Sequence, residues 1–448
     1  MIYSELNYSY YKLFILFMSY AGIFNFGLID GIYLYYAGSS LEDLPINEFK
    51  YYTKFLSLFI VIAAFPFVLF STTLNGDRSI IVLVFSLNII LINLTGYFQF
   101  ISQITSRFRE FAIRNFIFTI LSLISVLLIF IFENDNYLSM VVSMTIINFV
   151  ILIMYVITYR RFLPFGLSPN SKEHGNKMTR KMYRMGIPLL LSNLIVILIG
   201  NIPKQFVEFY YPIENYPNVF AHFSFAYTLM TFTSVFLSAI SLVIYPVLNK
   251  TNESVYIGAY NKLNTIIIVF SSFLLIGYFP LFYIVDNYIP KYFPSLEYFY
   301  ILIPGVIFTS SITVIQHSYY KTMKKNFQFL LIGVSVLFLQ VIMIYILYYV
   351  FNKSLVMIAI STLATQILWF LISDQYIIKI TKQSIAKKNY LYISSVIAAF
   401  YSINAISNIF YQFVVFSVLL LLISLFVYFN EIRTIIDYLL YQCKKDRK

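Results

Sequence analysis

The sequence predicts an all-α polytopic membrane protein of about 13 transmembrane helices in two bundles, and three observations predict it. Hydrophobic residues make up 60% of the chain against 11% charged, with a mean hydropathy of +0.80, which excludes an ordinary soluble protein. Apolar stretches of ~18 residues or more recur from end to end, and ~20 helical residues cross a ~30 Å hydrocarbon core. The connections between them are alternately rich and poor in lysine and arginine. Alternate connections, at 39–54, 105–114, 160–184, 248–262, 321–325, 379–388 and 430–448, hold 26 of the 31 basic residues. The other set holds only Lys12, Arg78, Lys204, Lys291 and Lys353. Short basic loops stay in the cytoplasm, so the carboxyl terminus is expected inside and the amino terminus outside.

In chain order the expected spans are 13–38, 55–74, 79–104, 111–132 and 137–159, then the longest connection, then 185–209, 219–247, 265–285, 299–320, 328–350, 354–378, 390–409 and 411–429. The long connection, 160–184, combines dense positive charge with Pro164, Gly166, Pro169 and Gly175, the composition of a flexible linker. It divides the chain into a first bundle (1–159), the linker (160–184) and a second bundle (185–388). An extra carboxyl-terminal helix pair (389–429) and a basic cytoplasmic tail (430–448) follow. Within that pair only Ser407, Asn408, Tyr411 and Gln412 mark the break. Pro66, Pro188, Pro203, Pro246, Pro280 and Pro304 fall inside spans, where each removes a backbone donor and bends its helix. The turns after Gln103 and after Gln316-His317 are both tight and basic, a weak internal echo of the kind seen between repeated transporter bundles.

The net charge of +12 is accounted for by topology and contact with lipid headgroups, so nucleic acid is not an expected partner. The single cysteine, Cys443, allows no intrachain disulfide. His174, His222 and His317 are scattered, and neither a metal-ligand spacing nor a glycine-rich phosphate loop is present. No cofactor, metal centre or catalytic constellation is expected, and the chain is not read as an enzyme.

Several stretches resemble one family along nearly the whole chain. Gly22–Gly38 reads GIFNFGLIDGIYLYYAG, and IPLLLSNL (Ile187–Leu194), HFSFAYTL (His222–Leu229), SLVIYPVL (Ser241–Leu248) and SYYKTMKK (Ser318–Lys325) follow in order. Together they resemble the bacterial polysaccharide repeat-unit flippases (O-antigen and capsule), of the superfamily that also holds the MATE exporters and the lipid II flippases. The chain departs from the pattern twice: Met1 falls just after the family's first helix, and a position usually basic is Tyr35.

The resemblance implies flipping of polyprenyl-pyrophosphate-linked oligosaccharide repeat units across the bacterial cytoplasmic (inner) membrane, by alternating access, for surface polysaccharide assembly. Its partners would be that substrate, membrane lipids, a polysaccharide polymerase and other assembly proteins. The alternatives are a cation-coupled multidrug or metabolite antiporter of the same superfamily and, from another class, a polysaccharide polymerase. A pyrophosphate headgroup needs a hydrated, preferably cationic path through the low-dielectric layer. Ionisable groups inside spans are therefore the candidates. Lys204 and Glu208, four residues apart, read either as a lip ion pair or as snorkelling interface residues. His222 stands at another position often basic in the family. Asp30, flanked by Gly27 and Gly31, suits a helix–helix hydrogen bond or a coupling proton, and is the one deep carboxylate the sequence singles out. Arg107, Arg109 and Arg114, with Lys321, Lys324 and Lys325, stand at the cytoplasmic mouths of the two bundles. They could greet a pyrophosphate or simply obey the positive-inside rule. Asn88, Asn93, Asn193, Gln340 and Gln366 could line a sugar path or bond neighbouring helices.

Overall fold

The structure, a computed structural model, describes residues 4–166, 171–383 and 386–445. Residues 1–3 of the amino terminus, 167–170 of the linker, 384–385 of the last basic connection and 446–448 of the tail lie outside the described residues. No strand occurs among the described residues, which form seventeen α-helices. Before the linker come α1 (Glu5–Met18), α2 (Leu28–Tyr36), α3 (Ile46–Ser71), α4 (Gly76–Ile104), α5 (Phe108–Ile131) and α6 (Tyr137–Thr158). After it come α7 (Ser171–Tyr210), α8 (Pro217–Lys250), α9 (Glu253–Phe273), α10 (Tyr278–Tyr288), α11 (Ser295–Leu302), α12 (Gly305–Ser310) and α13 (His317–Thr322). The chain ends with α14 (Asn326–Val350), α15 (Leu355–Thr381), α16 (Lys387–Ser402) and α17 (Ile409–Lys445).

Among the described residues nine helices are long and apolar enough to cross a membrane, and two bent pairs raise the number to eleven. The other two expected spans, 219–247 and 390–409, coincide with α8 and α16, which are not among the eleven. Helix ends outrun the apolar runs that predicted them. The first helix begins at Glu5 rather than residue 13, because Ser4 caps it by accepting from the Asn7 N–H at 3.3 Å. Behind that cap Tyr8, Ser9 and Tyr10 are buried despite their polar groups.

The helices form two compact units, Met1–Ser224 and Phe225–Lys448. In the first, α4 is the hub and packs on α1, α2, α3, α5 and α6. The helix that follows the linker, α7, packs on α2 and α3 in this same unit. In the second, α15 is the hub for α11, α12 and α14, while α16 packs on α9 and α17. One span of this unit is broken by 50° at Ile303-Pro304, then passes through α12, a π-helical turn at Ser311–Gln316 and α13.

The span formed by α1 and α2 is bent by 61°. Phe26 and Gly27 take left-handed conformations (φ 51° and 91°), which stops one helix and restarts the next. Asn25 holds the bend. Its Oδ1 accepts from the Gly27 N–H at 2.9 Å, and its Nδ2 donates to Asn93 of α4 at 3.3 Å. Beyond the bend α2 meets α7 backbone to backbone. A Cβ on Gly27 would lie 2.8 Å from the Gly186 carbonyl carbon. One on Gly31 would strike the Met182 backbone, and one on Gly186 the Gly27 carbonyl. Glycines four apart on one helix facing a third are the small-residue solution to helix packing in lipid, where hydrophobic burial does not drive association.

Gly31→Val and Gly186→Val should each lower the thermal midpoint of the purified protein, by the equivalent of about 1–3 kcal/mol of overpacking. At Gly200 an added Cβ meets nothing within 4 Å, so Gly200→Ala should leave the midpoint almost unchanged. Equal midpoints for all three variants would remove the crossing as a packing constraint.

Candidate functional site

The chemistry-bearing groups of the first unit concentrate at the end where α1 begins and α7 stops, the end the charge pattern assigns to the outside. Ser4 donates its backbone N–H to Asp135 at 2.7 Å, and Asn7 donates its side-chain amide to the Asp135 carbonyl at 2.8 Å. These bonds fix the start of α1 against the α5–α6 turn. Ser9 donates to the Pro217 carbonyl at 2.7 Å, and His222 Nε2 lies 3.0 Å from Glu5 Oε1, so α1 also meets the start of α8. Tyr137 donates to Asp77 at 2.8 Å.

The expected relation of Lys204 to Glu208 takes another form. Glu208 is bound by Arg78 of α4, whose guanidinium also reaches Glu214 at 2.6 Å. Arg78, counted in the sequence only as one of the scarce basics on its side, thus bridges two carboxylates. Its hydrogen bond holds the Glu214 carboxyl below the usual carboxylate range.

One turn back along α7, Lys204 faces α1. On α1 the Lys12 ammonium lies 5.2 Å from the Tyr8 ring centroid and 5.3 Å from that of Tyr11. These two cation–π contacts, each worth about 0.5–2 kcal/mol, help hold Lys12 in place. Neighbouring polar pairs tie the same two helices: Gln205 donates to Tyr20 at 2.7 Å and Asn201 to Ser19 at 2.7 Å. Lys12 was missed as a candidate because the expected span began after it. The polar stretch Ser4–Lys12 hid a helix that carries Lys12 inside.

Deeper in the unit, Asp30 is buried and accepts from Asn193 of α7 at 3.4 Å, next to the glycine crossing. Asn93 donates to the Ala21 carbonyl at 2.7 Å, and Asn88 donates to Thr145 of α6 at 2.8 Å. Tyr35, where the resemblance expects a basic residue, has the Lys181 ammonium 4.2 Å above its ring.

At the opposite end, Arg107 pairs with Glu110 at 2.7 Å. Arg114 is 6% exposed, 3.6 Å from the same carboxylate, and lies over the Tyr155 ring at 4.3 Å while donating to Thr158 at 2.6 Å. It clamps α5 to α6, and Arg109 is exposed beside it. In the second unit, Lys321 ends α13 and Lys324 is exposed on the following turn with φ 56°. Asp30 is not the one deep carboxylate: Asp374 of α15 is 4% exposed. Among the described residues no group of three or more His, Cys, Asp and Glu could hold a metal ion.

The described residues thus form a bundle of candidate membrane-spanning helices with cationic groups inside some of them. The chain belongs to the polysaccharide biosynthesis protein family, whose model matches residues 5–252. Its fold is similar to that of the lipid II flippase MurJ in an inward closed conformation, with 16% identity over 94% of each chain and a TM-score of 0.63. It is also similar to an outward-facing multidrug resistance MATE transporter of the MOP superfamily. There the identity is 14% over 85% of this chain and 89% of that one, with a TM-score of 0.56. A MATE protein in complex with MaL6 matches with 12% identity over 85% of this chain and 95% of that one, and a TM-score of 0.54. No curated protein sequence matches the chain.

A carboxyl held below its usual range stabilises the fold above that range and stops doing so as pH falls through its folded value. Thermal midpoints should therefore fall as pH drops below ~4.3, and Arg78→Gln should remove the part of that slope due to Glu214. At pH 7 the same variant should lower the midpoint by only a few degrees, since partly exposed ion pairs contribute about 1 kcal/mol or less. An unchanged acid slope in Arg78→Gln would show that the bridge is not formed in solution.

Proposed function

We propose that this chain translocates polyprenyl-pyrophosphate-linked oligosaccharide repeat units across the bacterial inner membrane by alternating access, for surface polysaccharide assembly. The observation that carries the reading is that Lys12 and Lys204 sit on two helices of the first unit that the Gln205–Tyr20 and Asn201–Ser19 hydrogen bonds tie together. Two like charges in a low-dielectric layer repel and resist desolvation, so an arrangement that keeps both is suited to an anion carrying more than one negative charge. A pyrophosphate diester supplies two. Tyr8 and Tyr11 hold Lys12 through their rings, and Tyr20 holds Gln205, the residue next to Lys204. Family membership and the likeness to a lipid II flippase support a lipid-linked substrate.

In this reading Arg78, Glu208 and Glu214, together with His222 and Glu5, form the polar rim through which the headgroup leaves. Asp30 and Asn193 belong to the helix crossing rather than to the substrate path. The cluster Arg107–Glu110–Arg114 fastens helices at the cytoplasmic end of the first unit, and Arg109, Lys321 and Lys324 add basic charge that would attract an arriving pyrophosphate.

Deleting the gene should trap the complete lipid-linked repeat unit on the cytoplasmic face, and restoring it should release the unit. A Lys12→Gln, Lys204→Gln double variant should restore less than about a tenth of that release, the loss expected from ~1.4 kcal/mol of substrate affinity or more. Completed units on the external face that fail to polymerise would instead indicate a polymerase. No change in any saccharide would favour the antiporter.

A further inference from the structure

The last helix, α17, runs from Ile409 to Lys445, but only Ile409–Phe429 is long and apolar enough to be a membrane span. At about 1.5 Å per residue those 21 residues cover about 31 Å, the thickness of a ~30 Å hydrocarbon core. The backbone leaves helical geometry at Tyr428 (φ −116°, ψ 27°), just before the apolar run stops. The break is held from the side. Tyr428 is buried, donates its hydroxyl to Asn389 of α16 at 2.8 Å, and has its ring centroid 5.1 Å from that of Tyr392. Asn389 also accepts from Thr265 of α9 at 2.9 Å, so the break is tied to other helices of the second unit.

Beyond the break, residues 430–445 are helical again. Counted for charge, 430–448 is a basic tail; spaced along a helix, its apolar residues form a stripe. Ile432, Ile435, Ile436, Leu439, Leu440 and Cys443 recur at helical spacing on one face. Asn430, Arg433, Thr434, Asp437, Tyr441 and Lys444 fall on the opposite one. A helix apolar on one side and charged on the other lies in the plane of a membrane surface rather than across the bilayer. Residues 430–445 would be about 24 Å long, too short for a ~30 Å core and interrupted by charge. They start where the span stops, so they start at headgroup level.

We propose that residues 430–445 form an interfacial helix that lies along the membrane surface, with the face of Ile432, Ile436 and Cys443 on the lipid. The partner of that face is the headgroup and upper acyl layer of the leaflet from which α17 emerges. A helix that leaves a span at headgroup level meets lipid before anything else, and the break at Tyr428 lets it turn away from the line of the span. Charge agrees with this partner. Arg433, Lys444 and Lys445 add attraction to phosphate headgroups, and Arg447 and Lys448 follow in the sequence. Such a helix resists movement of α17 along the membrane normal in both directions. Sinking would bury its charges, and rising would bare its apolar stripe. Through Tyr428 and Asn389 the restraint reaches α16 and α9. It depends on the spans and not on the saccharide.

Cys443 is the single cysteine of the chain and falls on the apolar face, so a native residue can carry the probe. The test places a nitroxide on Cys443 of the full chain in nanodiscs of phosphatidylcholine and phosphatidylglycerol. Its collisions with oxygen, which concentrates in lipid, are compared with those of a water-soluble nickel chelate. Oxygen collisions should exceed nickel collisions at Cys443. The order should reverse when the nitroxide moves to the opposite face in Cys443→Ser, Tyr441→Cys. Ile436→Glu with Leu440→Glu should shift the Cys443 label toward nickel. The first measurement needs no substitution, so it stands even where a variant fails to fold. Nickel dominance at both positions would overturn the proposal, since the helix would then stand in water. Exclusion of both reagents from Cys443 would overturn it too, since protein would then cover the face, and so would one ratio at both positions. The readout is the depth of a label, so its failure is distinguishable from failure of saccharide release.

Discussion

Where Gly27 and Gly31 of α2 pass Gly186 of α7, two helices touch through their backbones, and no side chain of any size fits between them. The contact fixes the level and rotation of α7 against the first five spans. That level decides which residues of α7 look at which neighbours. Asn193 meets Asp30, Asn201 meets Ser19, Gln205 meets Tyr20 and Glu208 reaches Arg78. These pairs recur along one side of α7, as the helical period requires. A small shift or rotation at the glycines would be felt at every one of them.

The bend between α1 and α2 is the second half of the same device. Left-handed Phe26 and Gly27 end one helix, the Asn25 side chain starts the other, and Asn93 ties the bend to the hub helix α4. A break inside a span leaves backbone groups that lipid cannot satisfy, and here two asparagines satisfy them. With the bend held, α1 leans its polar face, Lys12 included, toward α7 instead of running on along the line of α2.

Much of this architecture was legible in the sequence, because crossing a bilayer imposes a length and a charge rule that single residues report. The spans expected at 79–104, 111–132 and 137–159 match α4, α5 and α6 within a few residues. The glycines around Asp30 and the proline at 304 announced a close contact and a bend. The site was less legible. Lys12 was hidden by the polar composition of a helix start that nonetheless buries Tyr8 and Tyr10. The partner of Glu208 is Arg78, 130 residues away, and no local spacing encodes such a pairing. Asp374 stands near the end of an apolar run with no local motif around it, and only the fold brings Tyr260 and Tyr390 onto it. A π-helical turn has no composition of its own to betray it.

The chain is rich in Phe and Tyr, 47 and 41 of them, and in Ile, Asn and Lys, residues that an A- and T-rich coding sequence favours. Glycine codons begin with two guanines, so they stand against such a drift. Any single-base missense change in a glycine codon yields a residue with a Cβ. At Gly200 the fold would absorb it, but at Gly31 and Gly186 that carbon has no place to go. The helix crossing therefore marks codons where nucleotide bias and packing pull in opposite directions, and where inherited variation should be purged first.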